Sequence, residues 1–299
     1  MNVIKEYYSE LESAINFILD DDDYYKYIKD AIDDYIENGT EIFIYKWYDD
    51  FFEKDCEIKF DIGKLLSEAS RLSVFPLRDF LIKENNNYDG LINSLYLSVL
   101  ECCSNELFST EKEKSINEQS CIFFISLSYF SSLEQSLVLN GLIKSIKGKG
   151  DLINEDAYET LIPLVFYLSK NYMKVGSETL RDDIEWGLNK FKFNSMYESI
   201  VNGLLRNEDV RSLMREICDY HIFRSYSDDE VNADFENVIY KLIPFEIIVL
   251  LRIRSLNGLS NENINHPLLN RFKLFINNNV PLNNFNISLK TSIFRKKNL

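Results

Sequence analysis

Glycine and proline are scarce in this chain, at 10 and 5 of 299 residues. Architectures of many short strands need frequent turn residues, so this scarcity disfavours them and favours long helices. Cysteine is sparse and irregular: Cys56, Cys102, Cys103, Cys121 and Cys218 are odd in number, and two are adjacent. No disulfide framework fits that pattern, and reduced thiols in a cytoplasmic protein are expected. Only two histidines are present, His221 and His266. No Gly-x-Ser-x-Gly elbow accompanies them. Gly148-Lys149-Gly150 lacks the spacing of a phosphate loop and no Ser or Thr follows its lysine, so it reads as a helix stop. Cys218 and His221 share a helix face, but no Cys-x-x-Cys completes a zinc set, and a packed pair is the simpler reading. Paired carboxylates are too numerous to single any out. The expectation is a protein without catalytic residues, cofactor or metal. Long apolar runs are missing too: Cys121 to Phe130 and Leu242 to Leu251 are too short to span a bilayer and read as buried helices. The start, Met1 to Tyr8, carries acid early and has no signal-peptide core, so neither export nor a membrane role is expected.

What is abundant is acid, and it is unevenly placed. The formal net charge is −15, and residues 1–60 hold 17 Asp and Glu against 6 Lys and Arg. Residues 265–299 reverse the sign, with 6 Lys and Arg and no acid. Binding to nucleic acid is not expected over such a surface, because phosphate needs a basic patch. The tail Phe294-Arg295-Lys296-Lys297 reads either as a contact for an anion or as a frayed terminus.

The most concentrated stretch runs from Asp20 to Glu37, with seven Asp, one Glu and four Tyr in eighteen residues. Ile28, Ala31, Ile32, Tyr35 and Ile36 recur at helical spacing and form one apolar stripe. Asp30, Asp33, Asp34 and Glu37 take the other directions. Asp20, Asp21, Asp22 and Asp23 sit where they cap the helix and complement its dipole. Four consecutive aspartates cannot converge on one cation, and the calcium-loop spacing is missing. Two readings remain: a solvated face, or a recognition face for a cationic protein in which carboxylates steer and tyrosines supply contact area. The second reading nominates Asp20 to Asp23, Tyr24, Tyr27, Asp30, Asp33, Asp34 and Glu37, with Asp49 and Asp50 beyond them.

The rest of the chain reads as all-α, a multi-helix bundle of stacked antiparallel helices that is solenoid-like at most, since no fixed-period repeat is visible. Helices are expected at 3–19, about 23–37 (stopped by Asn38-Gly39), and from Thr40 through an aromatic run to Phe52. Two short helices split by Pro76 follow over 61–83, then one at about 90–104. Residues 105–117 read as a mobile loop between an acidic N-terminal region, 1–104, and a C-terminal helical region, 118–299. Within the latter, helices are expected at about 118–131, 134–147, 155–173, 177–192, 194–206, 208–225 and 228–255. Pro244 should split the last of these, and Ser227 with Glu230 has capping-box spacing. A short helix from His266 to Ile276 and a strand or extended segment over 287–294 complete the reading.

An Asp- and Tyr-rich acidic helical surface on a reduced, motif-free chain resembles bacterial immunity proteins, the cytosolic inhibitors of toxins delivered between cells. The Asn-rich stretches 85–87 and 277–279 resemble the vocabulary of a low-GC bacterial genome. The resemblance implies an inhibitor whose acidic face covers the basic cleft of a toxin such as a nuclease. The alternatives are a helical scaffold that binds its partner in an apolar groove, and an enzyme whose site is assembled from distant carboxylates.

Overall fold

The computed structural model describes residues 2–110, 114–149, 161–193, 195–203, 210–225, 235 and 237–296. The helical class is as expected, with one two-stranded sheet added. The elements are α1 (Asn2–Leu19), α2 (Asp22–Asn38), β1 (Phe43–Asp49), β2 (Lys54–Phe60), α3 (Ile62–Ser70), a 3-10 turn (Arg71–Ser73), α4 (Val74–Leu81) and α5 (Tyr88–Phe108). After them come α6 (Ile116–Tyr129), α7 (Ser132–Gly148), α8 (Ile162–Tyr172), α9 (Glu178–Lys190), α10 (Ser195–Gly203), α11 (Arg211–Arg224), α12 (Val238–Leu242), α13 (Phe245–Leu256) and α14 (Asn284–Arg295).

The chain forms two compact units, one of Met1–Glu10 with Lys114–Asn279 and one of Leu11–Glu113 with Val280–Leu299. The chain passes between them inside α1, in the segment read as a loop, and after Asn279. That loop is shorter than 105–117, because α5 continues through Phe108 and α6 starts at Ile116. Ser109 ends α5 in the left-handed region at φ 56.

In the larger unit, α6 and α13 are the central helices. Cys121 to Ile125 and Phe245 to Leu251 are all buried, which is why neither helix is amphipathic. Ser120, Ser126 and Ser128 satisfy their buried hydroxyls by donating to carbonyls of α6 itself. Glu118 and Glu134 close capping boxes with Ser115 and Ser131 at the starts of α6 and α7. Pro244 separates α12 from α13 as its sequence position requires. The Ser227–Glu230 pair lies outside the described residues. Residues 267–277 form successive turns, with Asn270 N bonded to His266 O and Phe272 N to Leu269 O, where a regular helix was expected.

In the smaller unit, α2 packs on α3 and α14, and α5 packs on α3 and α14. Residues 287–294, expected as a strand or an extended segment, belong to α14. Asn283 caps it by accepting from Asn286 N at 2.8 Å, and Leu289 and Ile293, one turn apart, are both buried. Asn93 on α5 receives this segment. Its Nδ2 donates to Pro281 O at 2.9 Å, and its Oδ1 accepts from Asn283 N at 2.8 Å and Asn286 Nδ2 at 3.0 Å. Lys296, read as a frayed or anion-seeking tail residue, instead closes the C-terminal end of α2. Its ammonium donates to Gly39 O and Glu41 Oε1 and lies 4.6 Å from the centre of the Tyr35 ring.

Residues 42–52 are the main departure from expectation. They form β1 and the start of a turn, and β1 pairs with β2 in antiparallel register from Phe43↔Phe60 to Asp49↔Lys54. Aromatic and β-branched residues favour a pleated surface, on which successive side chains point to opposite faces. Phe43, Tyr45 and Trp47 stand on one face opposite Phe60, Ile58 and Cys56. Lys46 and Glu57 pair on the other face, 3.8 Å apart.

Candidate protein-binding surface

The nominated acids lie on α2 and the hairpin, both in the smaller unit. The stripe of α2 is as expected: Ile28, Ala31, Ile32 and Tyr35 are buried. Gly39 stops the helix at φ 72, a conformation glycine adopts without strain, and donates its N–H to Tyr35 O at 3.1 Å. Asp20, Asp21, Asp22, Asp23, Asp30, Asp33 and Glu37 are exposed. Among the described residues no lysine or arginine pairs with any of these seven.

Two nominated acids do structural work instead. Asp34 accepts from Asn38 Nδ2 at 2.5 Å, and hydrogen bonds from Thr40 and Asn38 hold its carboxyl below the usual range. Asp49 Oδ1 accepts from the backbone N–H groups of Phe51 and Phe52, both at 3.0 Å, and so shapes the hairpin turn. Asp50, beside it, is exposed.

The nominated tyrosines are half-covered. Burial first, then the Glu68 carboxylate, pushes the Tyr24 hydroxyl well above its ordinary range, and Glu68 also accepts its hydrogen bond. Burial likewise raises Tyr27, against a backbone hydrogen bond from Ile44. Both rings pack on Tyr45 of β1, with centroids 5.1 and 5.0 Å away. Tyr45 in turn is raised by burial and by the carboxylates of Asp21 and Asp23. The acidic start of α2 and the aromatic face of the hairpin are therefore one continuous surface.

The exposed aromatics of the hairpin belong to the run that the sequence reading assigned to a helix. Phe51 is 85% exposed, Phe52 63%, Tyr48 57% and Trp47 40%. The sequence signal was the density of aromatic and β-branched residues from Ile42 to Tyr48, which favours a strand. Conversely, Tyr35 is buried on the inner side of α2 and offers no contact area.

The histidines acquire partners that local sequence does not show. His221 and Glu246 are both fully buried, with Nδ1 2.7 Å from Oε1, and Nε2 lies 3.1 Å from Lys241 O. A carbonyl only accepts, so Nε2 carries a proton. Nδ1 and the carboxyl then share one proton, and the pair is neutral overall whichever atom holds it. The ring also lies against Phe235, centroids 4.0 Å apart. Burial, then the carboxylates of Glu246 and Asp219, pushes the neighbouring Cys218 thiol far up. His266 Nδ1 accepts from Leu268 N, and its Nε2 meets Asp219 at 3.1 Å. Among the described residues no group of three or more His, Cys, Asp and Glu is arranged to hold a metal. No described helix is long and apolar enough to cross a membrane.

No protein-family model, curated protein or solved structure matches the chain.

Proposed function

We propose that this protein binds a cationic protein and neutralises it by covering its basic surface, in the manner of an immunity protein acting on a toxin such as a nuclease. The observation that carries the reading is the continuity of an exposed acidic helix, seven of whose carboxylates have no lysine or arginine partner among the described residues, with a half-exposed aromatic hairpin. Exposed carboxylates project their field into solvent and accelerate encounter with a basic partner. Aromatic side chains beside them supply the area that holds the complex once formed. The scaffold reading would place binding in an apolar groove, and the enzyme reading would need carboxylates from distant parts of the chain to converge on one site.

The test begins with a basic protein captured from the native host on the full-length chain and then purified. Its own activity, beginning with nuclease activity, is measured with increasing amounts of the chain. The proposal expects saturable inhibition that weakens as salt is added. A partner that binds at unchanged strength in high salt, or keeps full activity when saturated, contradicts it.

A further inference from the structure

The distribution of exposed aromatic surface singles out the hairpin as more than a flank of the acidic helix. Taking ~200 Å² per aromatic side chain, the exposures of Trp47, on the apolar face, and of Phe51 and Phe52, at the tip, amount to on the order of 400 Å². That is within the ~300–600 Å² of the largest apolar patch on a typical monomer, and it is about half of the ~800 Å² each partner commits to a standard interface.

The element carrying this patch is braced. Phe43 and Phe60 are buried at the base, Tyr45 is gripped by Tyr24 and Tyr27, and Asp49 fixes the turn. Glu53 holds a left-handed conformation, φ 49, that completes it. Phe51 and Phe52 meet edge to face, centroids 4.9 Å apart, with the Lys54 ammonium 5.1 Å from the Phe52 ring. A projection ordered in advance loses little entropy when it is inserted.

We propose that the β1–β2 hairpin is the insertion element, its tip and apolar face seating in an apolar recess ringed by basic residues on a cationic protein. This rests on the reading above that the partner is cationic, and adds where the apolar contact is made. Charge selects the occupant. Residues 43–60 carry five Asp and Glu against three Lys, next to the acidic start of α2. A second copy of the chain would bring the same negative rim, and an anionic lipid surface would be repelled as well.

The test uses the full-length chain, with Trp47 fluorescence as reporter. Three synthetic peptides serve as probes: a lysine–leucine amphipath, a shorter oligolysine of equal charge, and a serine–leucine control as long as the first. Wild type should bind the lysine–leucine peptide at least ~10-fold more tightly than oligolysine and leave the serine–leucine peptide unbound. Phe51→Ser with Phe52→Ser changes only exposed side chains. It should abolish that preference while leaving oligolysine affinity intact. Retention of the preference by the double variant overturns the hairpin proposal alone. Failure of wild type to bind either cationic peptide at low salt overturns the cationic-partner reading itself. Two further results also overturn the proposal. One is a wild-type dimer that the double variant dissolves in sedimentation, making a second copy the occupant. The other is binding to phosphatidylcholine vesicles that the double variant loses, making it a lipid surface.

Discussion

Replacing His221 with Phe removes one half of a buried pair and leaves the rest of its surroundings in place. The Phe ring keeps the contact with Phe235, so packing is nearly conserved. The Glu246 carboxyl, however, is left fully buried without its partner, and Lys241 O loses its donor. Breaking a buried pair from one side costs about 3–5 kcal/mol, a large part of the 5–15 kcal/mol that stabilises a typical domain. For a unit of this size each kcal/mol moves the melting temperature by about 2–4 °C, so a fall of roughly 6–20 °C is expected. Adding Glu246→Leu removes the orphaned carboxyl. The double variant should return to within about 1.5 kcal/mol of wild type. The residual loss reflects Glu246's place in the first turn of α13, where an acid favours the helix dipole. Urea unfolding followed by Trp186 fluorescence, which reports the larger unit, measures all three proteins. A single variant as stable as wild type, or a double variant no better than the single, would refute the argument.

Three further expectations follow from particular contacts. Asn93→Ala removes the bonds that receive Pro281, Asn283 and Asn286, and should cost about 2–4 kcal/mol in the smaller unit. Unfolding reported by Trp47 checks it, and Asn93→Asp, which keeps the two acceptor bonds, should lose less. Gly187→Ala would place a methyl carbon 2.3 Å from the Phe166 ring, costing about 1–3 kcal/mol and seen as a lower urea midpoint by Trp186 fluorescence. Burial raises Tyr35 to about 12, so the fold favours its neutral form. That contribution is fully present below pH ~10, the ordinary tyrosine value, and is lost as pH rises towards about 12. Far-ultraviolet circular dichroism across that window should show alkaline unfolding, with Tyr35→Phe shifting its onset upward.

The helices were legible where one face alone is buried. In α1 and α2 the apolar residues recur every third and fourth position, and their bounds came within about two residues of the sequence reading. The hairpin was not legible by the same rule. Apolar side chains occupy eight of the eleven positions from Ile42 to Phe52, so the run fits helical and strand periods alike. Its turn lacks Gly, Pro and Asn and relies on the Asp49 carboxylate and on Glu53 at positive φ, a conformation uncommon outside glycine. In α14, Asn283 looked like more of an Asn-rich loop, and Ile287, Thr291 and Ile293 suggested a strand. The bonds to Asn93, some 190 residues away, cannot be read locally. The acidic surface was visible as composition. Which acids face solvent and which hold a turn depended on neighbours that only the folded chain supplies, as Asp34 and Asp49 illustrate.

The central claim is that the exposed acids act on a partner, and the association rate tests it most directly. Asp20, Asp30, Asp33 and Glu37 are exposed, lie off the buried stripe of α2, and form no ion pair among the described residues. Changing all four to their amides should leave stability within about 0.5 kcal/mol per site. Stopped-flow mixing with the captured basic protein, repeated across ionic strengths, should show association slowed by about 10-fold or more at low salt and a flatter salt dependence. An unchanged rate with an unchanged salt slope would mean that the acidic face is only solvated, and would contradict the account.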